Sequence, residues 1–428
     1  MSPRRLLQLG SALAVLGLAA DSHATSTMLF GYGPRSTSLA QSDLADPSPS
    51  AAAFTNPAML YAPGTRVSIG YGHGFTHLKL NGRPTGLRDI AGTDLAVQLG
   101  GNLGKGFQLG AGLALHLPDR SLGRIAFYPG TEPQFVRFEP SPQRLTADMA
   151  VAIRYGAVSL GAGAWTFVDA AGDGVTFKLA QDGNGAYTDG KADIAMPYHL
   201  SPIAAAAVDL GAASLALRYR GGQSVDLDLS TLADVAVTGN PLNGTTRVRV
   251  EGSNGYVPPV IDFGARYTLA RWLKAYAALE LALWARAPSA SARLQMDMGL
   301  GLEPGLLDTH FTEPRLRNTL SPRLGVEWLP MRTDALGIRA GYLLSPSPVP
   351  RQTGFSSQAD STIHGVALGA GYDLGRHWGV SLRVDAAAML MWLPERTFQK
   401  PSELLPFSRY TASGTIIHGS LALEGAWK

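Results

Sequence analysis

Apolar and polar positions alternate with a period of two through about fourteen segments of strand length, separated by glycine-marked turns and long polar loops. Between Leu273 and Trp284, apolar residues stand at 273, 275, 277, 279, 281 and 283, against Lys274, Tyr276, Glu280 and Trp284. Ile261, Phe263, Ala265, Tyr267 and Leu269 oppose Asp262 and Arg266 in the same way. Leu215, Leu217 and Tyr219 oppose Arg218 and Arg220, and Val380, Leu382 and Val384 oppose Arg383 and Asp385. Successive side chains of a strand point to opposite faces, so each segment predicts a strand with one apolar face and one face carrying both signs of charge. The segments run 67–78, 94–103, 107–117, 144–155, 158–167, 198–210, 214–227, 257–269, 273–284, 319–328, 336–344, 361–374, 378–390 and 414–427. Each is roughly ten residues, the length a tilted strand needs to cross a hydrocarbon core. Connections after even-numbered segments are short, as at 104–106, 156–157 and 211–213, and those after odd-numbered ones are longer, as at 118–143 and 285–318. Tight turns at one end and large loops at the other predict an all-β fold, a transmembrane antiparallel β-barrel of about 14 strands with a polar lumen. Closure removes the edges of an open sheet, so one domain accounts for the whole pattern.

The N-terminus reads as a bacterial export signal. Arg4 and Arg5 supply the basic start, residues 6–20 the apolar run, and Ser22-His23-Ala24 a small-x-small cleavage site, giving a signal peptide of 1–24 and a mature start near Thr25. No later stretch offers about twenty consecutive apolar residues, which argues against helical insertion. Residues 25–65 do not read as a strand, because Gly31, Gly33, Pro34, Pro47, Pro49, Pro57, Pro63 and Gly64 break any ladder. That punctuated length suits an N-terminal hatch that plugs the lumen, leaving 66–428 as the outer-membrane β-barrel.

Composition narrows the chemistry further. Loss of Arg4, Arg5 and Asp21 with the signal takes the formal charge from +3 to +2, which gives no reason to propose a nucleic-acid partner. The chain has no cysteine, so disulfides and thiolate chemistry are excluded. Gly185 to Lys191 has phosphate-loop spacing, but Ala192 stands where a magnesium-binding hydroxyl is needed. His73, His77 and His116 supply fewer converging ligands than a metal demands, so no metal or other cofactor is expected. No Gly-x-Ser-x-Gly elbow is present, and the chain does not read as an enzyme.

Several blocks resemble one family. The stretch Gly31 to Ala40, then Ala45-Asp46, then Ala53 to Leu60 with Asn56-Pro57-Ala58, is similar to the hatch of the FadL/TodX-type outer-membrane transporters of long-chain fatty acids and other hydrophobic compounds. The blocks Pro258 to Tyr267, Ile338 to Tyr342 and Ser345 to Pro350 extend the resemblance over most of the mature chain. It implies fourteen strands, an N-terminal plug, a location in the bacterial outer membrane, and passive uptake of a hydrophobic small molecule, with long-chain fatty acids the default. A barrel of the same fold used for interaction or secretion is the alternative, and a polar diffusion pore a weaker one. Expected partners are outer-membrane lipid, the ligand, and the barrel-assembly machinery during biogenesis; Ile417, Leu421, Leu423 and Trp427 share one face as an assembly signal would. Phe30, Leu39, Phe54, Met59 and Leu60 are the expected apolar ligand contacts of the hatch. Arg35 is expected to meet a lumen carboxylate such as Glu280 or Glu327, or a ligand carboxylate. Gly110 and Gly112 are where a kink would open a sideways gap in the wall.

Overall fold

The computed structural model describes residues 26–87, 89–119, 133–138, 145–168, 172–181, 187–194, 200–236, 243–287, 293–299, 305–309, 315–330, 335–354 and 356–427. The signal peptide expected at 1–24 lies outside them.

Fourteen antiparallel strands close on themselves: β1 (Gly64–Leu80), β2 (Ile90–Gly104), β3 (Phe107–Pro118), β4 (Leu145–Tyr155), β5 (Val158–Val168), β6 (Ser201–Asp209), β7 (Ala213–Arg220), β8 (Val260–Ala270), β9 (Leu273–Ala282), β10 (Thr319–Trp328), β11 (Leu336–Ser345), β12 (Ile363–His377), β13 (Val380–Gln399) and β14 (Arg409–Trp427). Each pairs with its sequence neighbours, and β1 closes the ring by pairing with both β2 and β14, from Thr65 opposite Trp427 to Leu80 opposite Ala412.

All fourteen segments anticipated from periodicity are barrel strands, with local differences at their ends. The segment 214–227 breaks at Gly221-Gly222, because a glycine pair lets the chain leave the ladder, and Gln223–Ala236 starts a separate strand. Strands β13 and β14 run well past 390 and start before 414, as a long hairpin continuing beyond the rest of the wall. The large loops also contain order that alternation within the wall does not predict. Gly172–Gln181, Tyr187–Ile194, Gln223–Ala236, Asn243–Val257, Arg293–Gly299 and Gly305–Thr309 form a six-stranded antiparallel sheet.

Facing follows the alternation. Leu217, Ile261, Phe263, Leu279, Leu320, Leu324, Leu368, Leu390 and Leu421 are exposed on the outer face, while Arg218, Asp262, Arg323 and Glu327 are buried inside. At the short-turn end the outer belt ends in Tyr155, Tyr267, Trp272, Trp328, Tyr372 and Trp427, and toward the other end in Tyr71, Phe75, Tyr342 and Trp392. Two aromatic girdles around an apolar band suit a wall whose outside is hydrocarbon and whose ends meet headgroups. Leu279→Arg should therefore destabilise the barrel by about 2 to 4 kcal/mol near the midplane. Glu280→Gln should cost less, since it keeps an oxygen for the Arg323 guanidinium 2.7 Å from Glu280. Denaturant unfolding of both variants in lipid vesicles tests this, and the reverse order would overturn the facing of β9.

Candidate functional site

The hatch occupies the barrel interior as a chain of short turns: α1 (Ser26–Phe30), α2 (Gly33–Ser38), a 3-10 turn at Asp43–Ala45, α3 (Ala52–Thr55) and a second 3-10 turn at Pro57–Met59. None is long enough to be stable alone, so wall contacts must hold them. Asn56 sets the last turn: its Oδ1 accepts from Ala58 N at 3.1 Å and its Nδ2 donates to Leu44 O at 2.8 Å, while Pro57 fixes the backbone of the first turn position. With Asn56 and Ala58 fully buried, the side chain that an isolated reading treats as a motif is an internal splice of the hatch.

Bonds to the wall come from every side. Tyr32 Oη donates to Leu95 O (2.7 Å) and Leu115 O (3.0 Å) on β2 and β3. Gln98 Nε2 on β2 donates to Leu60 O and Ala62 O, at 2.8 and 2.6 Å. Arg218 on β7 donates through Nη1 to Phe54 O and Thr55 O, at 2.9 and 2.7 Å, which satisfies carbonyls at the end of α3. Arg35 on α2 meets Glu327 on β10 at 3.3 Å, Asp46 at 3.3 Å and the Tyr276 hydroxyl at 3.1 Å. Burial opposes the Arg35 charge, but Glu327, Tyr276, Asp46 and Asp43 together hold its pKa above the usual arginine value. Of the two carboxylates anticipated for it, Glu327 is the partner, whereas Glu280 is taken by Arg323.

At the anticipated lateral-gap positions the strand pairing is continuous. β3 is paired without interruption through Gly110 and Gly112, to Gly100 and Gln98 on β2 and to Ala152 and Ala150 on β4. These glycines serve close packing: a Cβ at Gly110 would strike Leu60 O, and one at Gly112 would lie 2.5 Å from Leu60 Cδ2 and 3.2 Å from Ala53 Cβ. The ladder stays continuous here, yet Gly110 lines a concavity of about 690 Å³ in the wall, with Leu99, Leu109, Val151 and Leu160 around it.

Four of the five anticipated apolar contacts pack against the wall. Phe30 stacks on His418 of β14, with ring centroids 4.0 Å apart and planes 5° from parallel. Leu39 is fully buried against the backbone at Gly325 and Gly341, and Leu60 beneath β3. Met59 packs with the alanine clusters joining hatch to wall. Phe54 alone of the five lines the main interior cavity.

That cavity lies over the hatch, with room for about 130 Å³. Thr27, Met28, Leu29 and Phe54 form its hatch side; Val257, Val260, Trp284, Leu343, Ile363 and Met391 are apolar positions around it. Four arginines also border it, and each has a carboxylate: Arg137 with Asp360 (2.8 Å), Arg218 with Asp262 (2.7 Å), Arg220 with Asp148, and Arg323 with Glu280 (2.7 Å). Burial pushes the Asp360 carboxyl up, and Arg137 opposes that shift. The Arg220 guanidinium is sandwiched between aromatic rings, 4.6 Å from the Phe54 centroid and 4.0 Å from that of Trp165. Sequence reasoning missed most of these positions. Their one legible signal lay on β11, β12 and β13, whose inward positions toward the large loops include apolar Leu343, Ile363 and Met391.

Geometry of this kind defines a class: a closed fourteen-stranded barrel, apolar outside, with its own N-terminal segment packed against the inner wall and an internally charge-paired cavity beside it. Solved structures share it. A FadL homologue from Pseudomonas aeruginosa aligns over 96% of this chain and 99% of its own, with a TM-score of 0.57 at 14% identity. The P. putida toluene transporter TodX aligns over 93% and 99%, with a TM-score of 0.55 at 14% identity. The monoaromatic hydrocarbon channel CymD aligns over 94% and 99%, with a TM-score of 0.52 at 12% identity. The chain therefore has the FadL/TodX-type fold. No protein-family model matches it, and no curated protein does.

Proposed function

We propose that this chain is a bacterial outer-membrane channel for the passive uptake of hydrophobic compounds, with long-chain fatty acids the first substrate class to test. The observation that carries the reading is the cavity over the hatch, whose bordering arginines are all neutralised by carboxylates of the protein itself. An apolar molecule entering it displaces water from apolar surface and disturbs no ion pair. The solved channels of the same fold, described as carrying toluene or monoaromatic hydrocarbons, support the same direction.

A compact aromatic hydrocarbon is the second reading, favoured by size and charge. The room of about 130 Å³ is near the 150 Å³ of an engineered cavity that accepts benzene. A fatty-acid carboxylate would meet arginines already paired with Asp148, Asp262, Glu280 or Asp360, although Arg220 Nε and Nη2 have no hydrogen-bond partner among the described residues.

Binding to the purified protein tests both. A fluorescent long-chain fatty acid should bind saturably, and displacement by toluene would show that the two share the cavity. Met391→Arg, which sets an extra charge at the cavity wall, should weaken binding at least about tenfold, or 1.4 kcal/mol. No binding of either ligand, together with a stably co-purifying exported protein, would favour an interaction or secretion barrel instead.

A further inference from the structure

Beside the main cavity, between the hatch and the seam of β14, β1, β2 and β3, lies a second and much smaller niche bordered by Thr27, Phe30, Gly31, Thr37, Asp94, His116, His418 and Ser420. Its wall carries titratable groups that the proposed uptake does not use. His116 Nδ1 lies 2.7 Å from Asp94 Oδ1, a paired arrangement. His418 differs: it is 5% exposed, its Nδ1 has no hydrogen-bond partner among the described residues, and the Oγ of Ser420 two positions on has none either. One face of its imidazole is covered by the Phe30 ring, and Cε1 lies 2.8 Å from where a Gly72 side chain would begin, so the stack fits only because β1 has a glycine there.

The groups around His418 can be taken element by element. The hatch presents Thr27, Phe30 and Thr37, none charged. β1 presents Gly72 and, beside it, His73, which lies 3.5 Å from Asp89 and whose protonation would oppose a proton on His418. β2 and β3 present the Asp94–His116 pair. β13 pairs Met389 opposite His418, and β14 adds Ser420, with Glu424 farther along its inner face bonded to Ser48. Among the described residues, no carboxylate is within salt-bridge distance of His418. A proton taken up there would put a cation into a buried niche whose bordering carboxylate, Asp94, already serves His116, and an unpaired buried charge is strongly unfavourable.

Helix α1 connects this niche to the main cavity. Phe30 and Thr27 border the niche, and Thr27, Met28 and Leu29 form the hatch side of the cavity. Five residues cannot hold a helix against the loss of their anchoring stack. The geometry points to a proton-sensitive latch: His418 holds the hatch closed through Phe30 while neutral, and its protonation frees α1 and unlatches the floor of the cavity. The latch rests on the channel reading above and adds regulation to it. Its sign is fixed by the charge: the closed state is favoured where imidazole is neutral and is lost as the solution becomes acidic, with histidine the side chain suited to act in that range.

Planar-bilayer conductance of the full-length mature protein provides the test. Between about pH 7.5 and about pH 5, wild-type conductance should rise severalfold, bounded by about tenfold per pH unit for a single proton. His418→Phe keeps a ring against Phe30 but takes no proton, and should stay closed throughout. Phe30→Leu removes the stack and should raise conductance at both ends of the range, which keeps the proposal testable if the histidine variant folds poorly. An unchanged acid response in His418→Phe, a wild type without one, or a closed and still acid-responsive Phe30→Leu would each overturn the latch. Ligand binding at about pH 7.5, where the latch is closed, tests the channel reading separately.

Discussion

Deleting residues 25–60 should leave a folded barrel whose ionic conductance rises sharply, while uptake of hydrophobic compounds by cells is lost or deregulated. The wall does not need the hatch for its own ladder, since all fourteen strands pair with wall neighbours and the ring closes through β1 with β2 and β14. What the hatch supplies is occlusion: Leu39, Ala52, Ala53, Asn56, Ala58 and Leu60 are fully buried within the lumen. Removing them leaves a charged, water-accessible interior, and a barrel of this strand number then has space for ions. Planar-bilayer recordings beside a check of strand content by circular dichroism would decide it. Unchanged conductance in a correctly folded deletion would mean that the segment does not gate the lumen.

Glu327→Ala should be the most damaging single change among the lumen charges, at about 3–5 kcal/mol, because removing one member of a buried charge group leaves the others uncompensated. Glu327 accepts from Arg339 at 2.7 Å and from the Tyr276 hydroxyl at 2.9 Å, and it meets Arg35 of the hatch at 3.3 Å. Its side chain is 5% exposed and that of Arg339 1%, so solvent cannot replace the lost partner. The variant should lower the unfolding midpoint in denaturant and also produce noisy, intermittently open channels, since Arg35, one of the four partners of Glu327 with Arg339, Tyr276 and Lys274, belongs to the plug. Arg383→Ala is the comparison: that side chain is 26% exposed and shares Asp385 with Arg339, so its loss should cost much less. Equal effects of the two substitutions would show that the Glu327 cluster is not a joint between hatch and wall.

Charge pairing shows where one-dimensional reading stops. Period-two alternation places Asp262 and Arg266 on one inner face of β8, and from the sequence they look like a pair. In the fold Asp262 belongs to Arg218, which lies directly opposite on β7, while Arg266 turns to Asp209 and Ser214 near the short turn. Arg383 and Asp385 do meet at 3.0 Å, yet Asp385 also reaches across to Arg339. Neighbours in a sheet are set by register between strands, and register is a property of two chain segments at once.

The sequence by itself determined the kind of fold. Strand length, alternation and the short-long order of connections are local consequences of threading a chain back and forth between an apolar exterior and a polar interior, and they are written residue by residue. Proline and glycine over 25–65 likewise argued against wall there, although β1 already begins at Gly64. Only the tertiary structure decided what the hatch side chains do. Phe30, Leu39 and Leu60 are as apolar as Phe54, but the first three are spent against His418, against the β10–β11 backbone and beneath Gly110, and Phe54 reaches the cavity. Likewise Gly110 reads equally well as a kink or as a place for close approach, until the carbonyl of Leu60 is found where its side chain would be. Hydrophobicity specifies that a side chain leaves water; which surface it meets depends on residues hundreds of positions away that the closed barrel brings alongside it.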